Sequence, residues 1–445
     1  MTAATDRVSA QVEQLVEIYA DDPFSTIERA RARLGVDRRQ MSEVLAGFHT
    51  SPRWRERLLS GPSTKYWTNT ILPLERAGVL DAVLTRQTVY PYRVGLYPGP
   101  SCMFRCGFCV RVTGARYGAD EIADGNERFA RIIDELPTDD PHRMYLSGGL
   151  EPLTNPGIGT LVSRAAGRGL SLALYTNAFA LTPQTLDRQP GLWDLGALRV
   201  SLYGLDEDEY TRTTGKRGFE RVSANVTELL RQRAQRGGGP QVGLNYIILP
   251  GSVDRLPALI RQIAEWNTAA PDRPIDFLTL REDYSGRDGG RLPAAERIRL
   301  RDALGRFTAD HARLAPTLRL DLGYALEAVA AGADAQMVRV RADELRPGAH
   351  PQAAAQIDLR GDVYLYREAG FPGLAGAERY SAGRVDADTG LLDVLRTFVE
   401  RGRAIPARPG DEYFLDGFDQ AVTVRLRQLE ADIAHGWADH RGLVR

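Results

Sequence analysis

The sequence predicts an α/β protein whose main part is a partial (β/α)6 barrel, flanked by a helical extension and a hairpin-plus-helix cap. Six β-prone segments alternate with helical stretches between residues 92 and 282, and this alternation is typical of a parallel sheet. Six strands are too few for a closed barrel of eight, so we expect the sheet to stay open on one side. The six segments are YRVGLY at 92–97, MYLSGG at 144–149, LSLALYTN at 170–177, LRVSLYG at 198–204, VGLNYIILPG at 242–251 and IDFLTLRE at 275–282.

Different patterns flank these strands. Near the start of the chain, apolar residues such as Val12, Leu15 and Tyr19 recur at helical spacing, which predicts helices. Near the end, apolar alternation on both sides of the turn 360–362 predicts a β-hairpin without cysteines, and helical segments follow it. The expected divisions are residues 1–90 as the helical extension, 91–325 as the partial barrel and 326–445 as the cap.

The charge and hydropathy of the chain exclude several classes of function. Lys and Arg number 57 against 58 Asp and Glu, so there is no basic excess of the kind that nucleic-acid binding requires. No stretch approaches the roughly 18 apolar residues of a membrane span, and the first residues lack the apolar core of a signal peptide. We therefore expect a cytoplasmic protein with no nucleic-acid or membrane partner.

The three cysteines of the chain, Cys102, Cys106 and Cys109, all lie in one loop after the first predicted strand. An odd, tightly spaced set favours metal or redox chemistry over disulfides. Thiolates at these spacings can surround one face of an iron–sulfur cubane and leave one iron without a protein ligand. A zinc site or three buried cysteines are the alternatives, although zinc usually takes four ligands and the loop contains no histidine. A ferredoxin-like electron carrier would need a fourth cysteine.

Small and polar residues follow the next three strands. Gly148 and Gly149 end the second strand, where paired glycines let backbone groups approach a ligand closely, and Glu151 offers a carboxylate nearby. Asn177 closes the third strand and Ser201 lies within the fourth. The alternatives are ordinary ones: a helix cap for Glu151, and turn or cap residues for the other two.

The loop Cys-Met-Phe-Arg-Cys-Gly-Phe-Cys resembles the Cys-x3-Cys-x2-Cys loop of the radical S-adenosylmethionine (SAM) superfamily. The resemblance implies one [4Fe–4S] cluster, because no cysteine follows Cys109, with SAM chelated to the open iron. Ser-Gly-Gly-Leu-Glu-Pro resembles the Gly-Gly-Glu-Pro motif that binds the SAM amino group, with Leu150 inserted before the glutamate. The SAM-binding residues that it implies are Phe108, Gly148, Gly149, Glu151, Asn177 and Ser201.

A closer resemblance runs from about residue 20 to the end of the chain. The segments that carry it are VGLYPGPSCMFRCGFCVRVTGARY, SGGLEPLTNPG, SLYGLDEDEYTRTTGK, REDYSGRD and GDVYLYREAGFP. They are similar to the radical SAM ammonia-lyases of TDP-desosamine biosynthesis in macrolide-producing actinomycetes. The resemblance implies removal of hydrogen from carbon 3 of TDP-4-amino-4,6-dideoxy-D-glucose and loss of ammonia from carbon 4. After reduction of the resulting radical by one electron and one proton, TDP-3-keto-4,6-dideoxy-D-glucose is the implied product, and SAM is consumed as a cosubstrate.

Charged and aromatic residues at the same rim are candidates for substrate contacts and for proton transfer. Arg and Lys suit a pyrophosphate, and tyrosines suit a sugar or base. The candidate substrate-binding residues are Tyr203, Lys216, Asn245, Arg281 and Arg287, and the candidate catalytic residues are Glu282, Tyr284 and Glu368.

The sequence also predicts an external electron donor and leaves three alternative functions open. No Gly-x-Gly-x-x-Gly follows a strand, so electrons are expected from a separate donor such as flavodoxin or ferredoxin. The nearest alternative function is a radical SAM dehydratase or decarboxylase acting on an aminoglycoside or another nucleotide sugar. RNA modification, which the balanced charge disfavours, and a cluster-based sensor are alternatives of other classes.

Overall fold

The computed structural model describes residues 2–58, 64–109, 116–282, 292–330, 332, 340–345, 350–370, 374–402 and 405–437. In these ranges the chain folds around one mixed sheet with helices packed on its outer face. No helix in the described ranges is long and apolar enough to cross a membrane.

The strands of the described chain form a single sheet in the order β10-β9-β8-β1-β2-β3-β4-β5-β6-β7. Strands β1 to β7 are parallel and neighbours in sequence order, which is the arrangement expected of repeated βα units. The strands are β1 Arg93–Tyr97, β2 Met144–Leu146, β3 Ala173–Thr176, β4 Ala197–Leu202, β5 Gln241–Ile248, β6 Phe277–Glu282, β7 Arg319–Leu322, β8 Ala354–Asp358, β9 Asp362–Tyr364 and β10 Ser381–Arg384.

Helices connect the strands and surround the sheet. The extension contains α1 Thr2–Asp21, α2 Ile27–Leu34, α3 Arg38–Thr50, α4 Pro52–Leu58, α5 Thr64–Tyr66, α6 Leu72–Arg76 and α7 Val79–Leu84, with a π-helical turn at Trp67–Ile71. Between the strands lie α8 Ala119–Glu135, α9 Ile158–Gly167, α10 Pro183–Arg188, α11 Glu207–Thr214, α12 Phe219–Arg236, α13 Leu256–Asn267, α14 Ala294–Leu314 and α15 Tyr324–Ala330. The last helices are α16 Leu391–Arg401 and α17 Gly417–Ala434.

The alternation of side chains along each strand explains the two faces of the sheet. In β4, Leu198, Val200 and Leu202 are almost fully buried in the core against the helices, whereas Arg199 and Ser201 point to the other side and are partly exposed. The inner face is therefore polar and lines a cavity instead of a closed apolar core.

The prediction of a partial barrel is confirmed, and the structure adds strands that the sequence analysis did not recognise. All six predicted segments contain a strand, but β7 and β10 were missed. The predicted hairpin forms β8 and β9, and β8 pairs in parallel with β1, so the hairpin extends the barrel sheet. The boundaries at residues 90 and 325 stay a prediction.

The open side of the barrel, beyond β7, is occupied by helices from both ends of the chain. Tyr324 follows β7 and stacks on Tyr66 of α5 with the ring centroids 4.5 Å apart. Its hydroxyl lies 2.7 Å from Oγ1 of Thr70. Gly417, the first residue of α17, packs so closely on Tyr324 that a Cβ would lie 2.9 Å from the ring. The helical extension and α17 thus complete the wall that the open sheet lacks.

Candidate functional site

The cysteine loop leaves the carboxyl end of β1 and is fixed first against the end of β2. The backbone of Gly99 lies so close to Leu150 that a Cβ would come within 2.6 Å of its carbonyl group. One residue before Cys102, the carbonyl of Ser101 accepts the backbone N–H of Glu151 at 2.8 Å. A side chain at position 99 would disrupt this contact, and glycine permits it.

The middle of the loop is fixed to the end of α11. The N–H of Arg105 donates to the carbonyl of Thr214 at 2.7 Å, and the N–H of Gly107 donates to that of Thr213 at 3.4 Å. Phe104 is buried between these contacts, with its ring 6.0 Å from that of Tyr210. The loop is therefore held from both sides by backbone hydrogen bonds before any cofactor is considered.

All three thiols line one pocket, which we call the cysteine pocket. Burial and the negative charge of the nearby thiolates, that of Cys106 first, raise the pKa of Tyr203 well above its ordinary value. Among the described residues no three Cys, His, Asp or Glu side chains meet at a point where they could hold a single metal ion. A cubane takes one thiolate per iron, so its ligands stand at separate corners, and the donor set fits such a cluster.

The glycines after β2 form part of the wall of the cysteine pocket. Gly148 and Gly149 have φ values of 70° and 46°, in the left-handed region that favours glycine. A Cβ on Gly148 would lie 2.4 Å from the ring of Tyr97, so its backbone passes directly over that ring. Glycine at position 148 therefore lets the ring of Tyr97 pack against this backbone, which borders the cysteine pocket.

The carboxylate of Glu151 is buried and receives three hydrogen-bond donors. One oxygen accepts the backbone N–H of Leu153 at 3.1 Å and the hydroxyl of Thr176, and the other accepts the N–H of Asn177 at 2.8 Å. Glu151 thus caps the short 3₁₀ helix that follows it, as the sequence allowed, and also ties the end of β2 to the end of β3.

The side chain of Asn177 lines the cysteine pocket and lies close to two sulfur atoms of the loop. Its Nδ2 is 3.8 Å from Sγ of Cys102 and 3.2 Å from Sδ of Met103. Its Oδ1 accepts the N–H of Phe179 at 3.0 Å, which identifies the orientation of the amide. An amide in this position can donate to a thiolate that is bound to iron.

The remaining residues predicted to contact SAM line the same pocket. Ser201 and Phe108 border it, and the ring of Phe108 lies 5.7 Å from that of Tyr203. The structure therefore brings together every cysteine and every residue that the resemblance implied for SAM. Their individual roles stay predictions.

A second cavity of about 790 Å³ occupies the inside of the partial barrel, and we call it the lumen. Ser147, Gly148 and Tyr175 border both the lumen and the cysteine pocket, so the two are adjacent. Its size is in the range of sites for small organic ligands. A molecule in the lumen can extend to the cysteine pocket at the carboxyl ends of β2 and β3.

The wall formed by the C-terminal part of the chain contributes charged groups to the lumen. Arg367 donates to Oδ2 of Asp416 at 2.9 Å, and its backbone N–H donates to Oδ2 of Asp419 at 3.1 Å. Burial, followed by the charge of Asp416, raises the pKa of Asp419 well above its ordinary value. Glu368 lines the lumen beside this network.

The predicted substrate and catalytic residues are only partly brought together. Arg281 and Glu368 line the lumen, and Tyr203 lines the cysteine pocket. Asn245 lies between Ser201 and Thr279 in the strand register, so it shares their inward face.

Other candidates lie elsewhere. Lys216 is exposed, with its Nζ 4.5 Å from the ring centroid of Phe179, and it borders neither cavity. Glu282 is buried, and because it follows the lumen-facing Arg281 in β6 it points to the opposite face of the sheet. Tyr284 and Arg287 lie outside the described residues.

Sequence reasoning missed several residues of the lumen wall. Tyr145, Tyr175 and Arg199 face inward from β2, β3 and β4. The sequence did contain a signal for an inward polar face. Parallel strands that are covered on both faces are usually continuously apolar, whereas each of these residues places a polar group directly after an apolar residue in its strand.

The parallel sheet and the three-cysteine loop define the class of this protein, and residues 96–263 match the family described as the Radical SAM superfamily. Along 444 residues the chain is 53% identical to the dTDP-4-amino-4,6-dideoxy-D-glucose ammonia-lyase of Streptomyces venezuelae, with 99% of this chain and 92% of that protein covered. The chain belongs to the radical SAM family of that enzyme. Membership implies that it uses SAM and an iron–sulfur cluster.

More distant similarities cover parts of the chain. The GTP 3′,8-cyclase of Chlorobaculum tepidum is 27% identical over 207 residues, which cover 45% of this chain and 58% of that protein. The crystal structure of Streptococcus suis SuiB covers 82% of this chain and 77% of its own, with 16% identity and a TM-score of 0.48.

Proposed function

We propose that this chain is a radical SAM ammonia-lyase that converts TDP-4-amino-4,6-dideoxy-D-glucose to TDP-3-keto-4,6-dideoxy-D-glucose. The observation that supports this most strongly is the 53% identity, along 99% of the chain, to an enzyme named for that ammonia-lyase activity. The reaction would serve deoxyaminosugar biosynthesis, as in desosamine for macrolide antibiotics. A cytoplasmic location and an external donor such as flavodoxin or ferredoxin are parts of the same proposal.

The cofactor part of the proposal is one [4Fe–4S] cluster on Cys102, Cys106 and Cys109, with SAM in the cysteine pocket. When bound, the cluster and SAM supply the 5′-deoxyadenosyl radical that removes hydrogen from carbon 3 of the sugar. The backbone at Gly148 and Gly149 and the side chains of the pocket would hold SAM beside the loop. The shared border at Tyr175 would let the sugar reach that point from the lumen.

The protein's own contribution is position, proton transfer and exclusion of water. Holding carbon 3 against the radical source converts an encounter between two molecules into a step within one complex. Glu368 is the candidate that we favour for accepting the hydroxyl proton of carbon 3, because it lines the lumen whereas Glu282 points to the other face of the sheet. The helices that occupy the open side of the barrel would limit access of water to the radical.

The experiment that tests the function is an anaerobic assay of the protein with a reconstituted cluster, dithionite, SAM and TDP-4-amino-4,6-dideoxy-D-glucose. Mass spectrometry follows ammonia, 5′-deoxyadenosine and the keto sugar. We expect all three to appear together and to be absent with Cys106→Ala. Formation of 5′-deoxyadenosine without ammonia would contradict the proposed substrate, and aminoglycosides and other nucleotide sugars are then the compounds to assay.

A further inference from the structure

Among the described residues, the lumen contains more arginines than are paired with carboxylates. In the described part of the chain, its arginines are Arg93, Arg199, Arg281, Arg319 and Arg367. Arg93 lies 2.6 Å from a carboxylate oxygen of Asp140, and Arg367 lies 2.9 Å from one of Asp416. Arg319 donates to the amide oxygen of Gln241 and is exposed. The other two, Arg199 and Arg281, have no carboxylate partner among the described residues.

Arg199 is held in a fixed orientation across the inner face of the sheet. Its guanidinium carbon lies 4.4 Å from the ring centroid of Phe277 and 5.4 Å from that of Tyr175. Its Nη1 donates to Oγ1 of Thr279 at 3.2 Å, and in the described part of the chain its buried Nε has no hydrogen-bond partner. Stacking between two rings preorganises the planar guanidinium and leaves donors available for a ligand.

The residue between Arg199 and Phe277 in the strand register makes this arrangement possible. That residue is Gly243 of β5, and a Cβ there would lie 1.9 Å from the ring of Phe277. With no side chain on β5 at this level, the ring and the guanidinium both lie over the strand. The cation thus reaches from β4 to β6.

Arg281 lies on the same inward face of β6, two residues beyond Thr279. Residues two apart in a strand share a face at about 7 Å, so the side chain of Arg281 enters the lumen next to Thr279, whose hydroxyl accepts from Arg199. The Nε of Arg281 is also buried and has no hydrogen-bond partner among the residues that the structure describes. The nearest acid in the register is Asp321, which accepts the Thr279 hydroxyl at 3.2 Å and is paired with Lys65 at 2.5 Å.

We infer that Arg199 and Arg281 bind the diphosphate of the nucleotide-sugar substrate. This inference rests on the proposed function and specifies its binding site. A diphosphate offers several charged oxygens to two guanidinium groups, and arginine binds phosphate in a bidentate manner. The pair lies on β4 and β6, and the lumen connects it with the border at Ser147, Gly148 and Tyr175. A ligand with its diphosphate on this pair would extend its sugar toward the cysteine pocket.

The test measures binding without turnover. The protein with its cluster is titrated anaerobically, without reductant, with thymidine 5′-diphosphate and separately with thymidine, by calorimetry. The variants are Arg199→Gln and, as a matched control with the same charge change, Arg396→Gln, which lies exposed on α16 and borders neither cavity. Thr279→Val, which removes the hydroxyl that orients Arg199, supplies a second variant in case Arg199→Gln does not fold.

We expect Arg199→Gln to weaken thymidine diphosphate binding by about 10- to 100-fold, and Thr279→Val by a smaller factor. Thymidine binding should change less than about twofold, and Arg396→Gln should bind both compounds like the wild type. Unchanged diphosphate binding in Arg199→Gln, or in Thr279→Val where the first variant is unfolded, would overturn the inference. So would an equal loss for thymidine and its diphosphate.

These outcomes are distinct from those of the deamination assay. If the protein binds thymidine diphosphate through Arg199 but releases no ammonia, the inferred binding site is supported and the proposed function is wrong. If the protein releases ammonia and Arg199→Gln binds the diphosphate normally, the proposed function is supported and the inferred binding site is wrong.

Discussion

Glu151 and Asn177 are joined by a hydrogen bond of 2.8 Å from the backbone N–H of Asn177 to Oε2 of Glu151. The other carboxylate oxygen accepts from Thr176 and Leu153, so one buried side chain fixes the ends of β2 and β3. The geometry of the cysteine pocket therefore depends on a carboxylate that accepts hydrogen bonds from the protein itself.

We expect Glu151→Ala to lower the free energy of unfolding by about 3 kcal/mol, because three buried donors lose a charged acceptor. SAM affinity should fall with it, since Asn177 and the glycine turn lose their support. Thermal denaturation and a SAM titration measure the two effects. Glu127→Ala, on the outer surface of α8, is the control. A variant as stable as the wild type would contradict the structural role of Glu151.

Asn177 should tune the reduction potential of the cluster. Its Nδ2 lies 3.8 Å from Sγ of Cys102, and a hydrogen bond to a thiolate stabilises the more negative, reduced cluster. We expect Asn177→Leu to lower the potential by on the order of tens of millivolts. A redox titration followed by electron paramagnetic resonance measures it. Asn225→Leu is the matched control, because Asn225 is a second asparagine of this region and its Nδ2 donates to the backbone carbonyls of Ala178 and Phe179. Equal potentials in the two variants would contradict the assignment.

Asp358 should make the stability of the protein depend on pH. Burial, then the charge of Asp362, raises the pKa of Asp358 from 3.8 to about 6 in the folded protein. Between these values the folded state binds more protons than the unfolded state, so the contribution of this group to stability falls as the pH rises from about 4 to about 6 and is constant above.

Asp358→Asn removes the charge and keeps the contacts, since the amide oxygen can accept from Arg360 and Asp362 while the amide nitrogen faces the hydroxyls of Tyr117 and Tyr364. We expect the variant to be more stable than the wild type by up to about 3 kcal/mol at pH 8, and by about half of that at pH 5. Denaturant unfolding at the two pH values measures the difference. Asp393→Asn at an exposed site is the control, and the prediction is wrong if the two variants behave alike.

Local patterns in the sequence predicted the six strands and the residues of the cysteine pocket, because these depend on neighbours in the chain or on one motif. The strand β7 was missed because its residues, Arg319–Leu322, are half polar and only partly buried. The closure of the open side was also missed, since Tyr324 meets Tyr66 and Gly417 across very long sequence separations that no periodicity reports.

In the candidate site, too, some features could be predicted from local sequence patterns and others could not. The alternation of β6 was available in the sequence and would have separated Glu282 from Arg281, but both were assigned to the same rim. The stacking of Arg199 on Phe277 was not available, because it requires the strand register and the absence of a side chain at Gly243. Chemistry that depends on a motif is predictable at this level, and chemistry that depends on register is not.

Glu368 provides the most direct test of proton transfer in the proposed reaction. Its carboxylate lines the lumen, where the carbon 3 hydroxyl of the sugar would lie. We expect Glu368→Gln to lower the rate of ammonia release by about 100-fold or more, the usual contribution of a general base, with KM for the sugar changed much less. SAM cleavage without deamination should persist, because the cluster and the cysteine pocket are unaltered.

Glu282→Gln is the matched control for this measurement, since the same change is made on the opposite face of β6. Its ammonia release should stay within a fewfold of the wild type. If Glu282→Gln loses deamination and Glu368→Gln retains it, the carboxylate that accepts the proton is not the one in the lumen. If both variants retain it, a group other than these two carboxylates takes the proton, and the tyrosines of the lumen wall, Tyr145 and Tyr175, become the residues to replace.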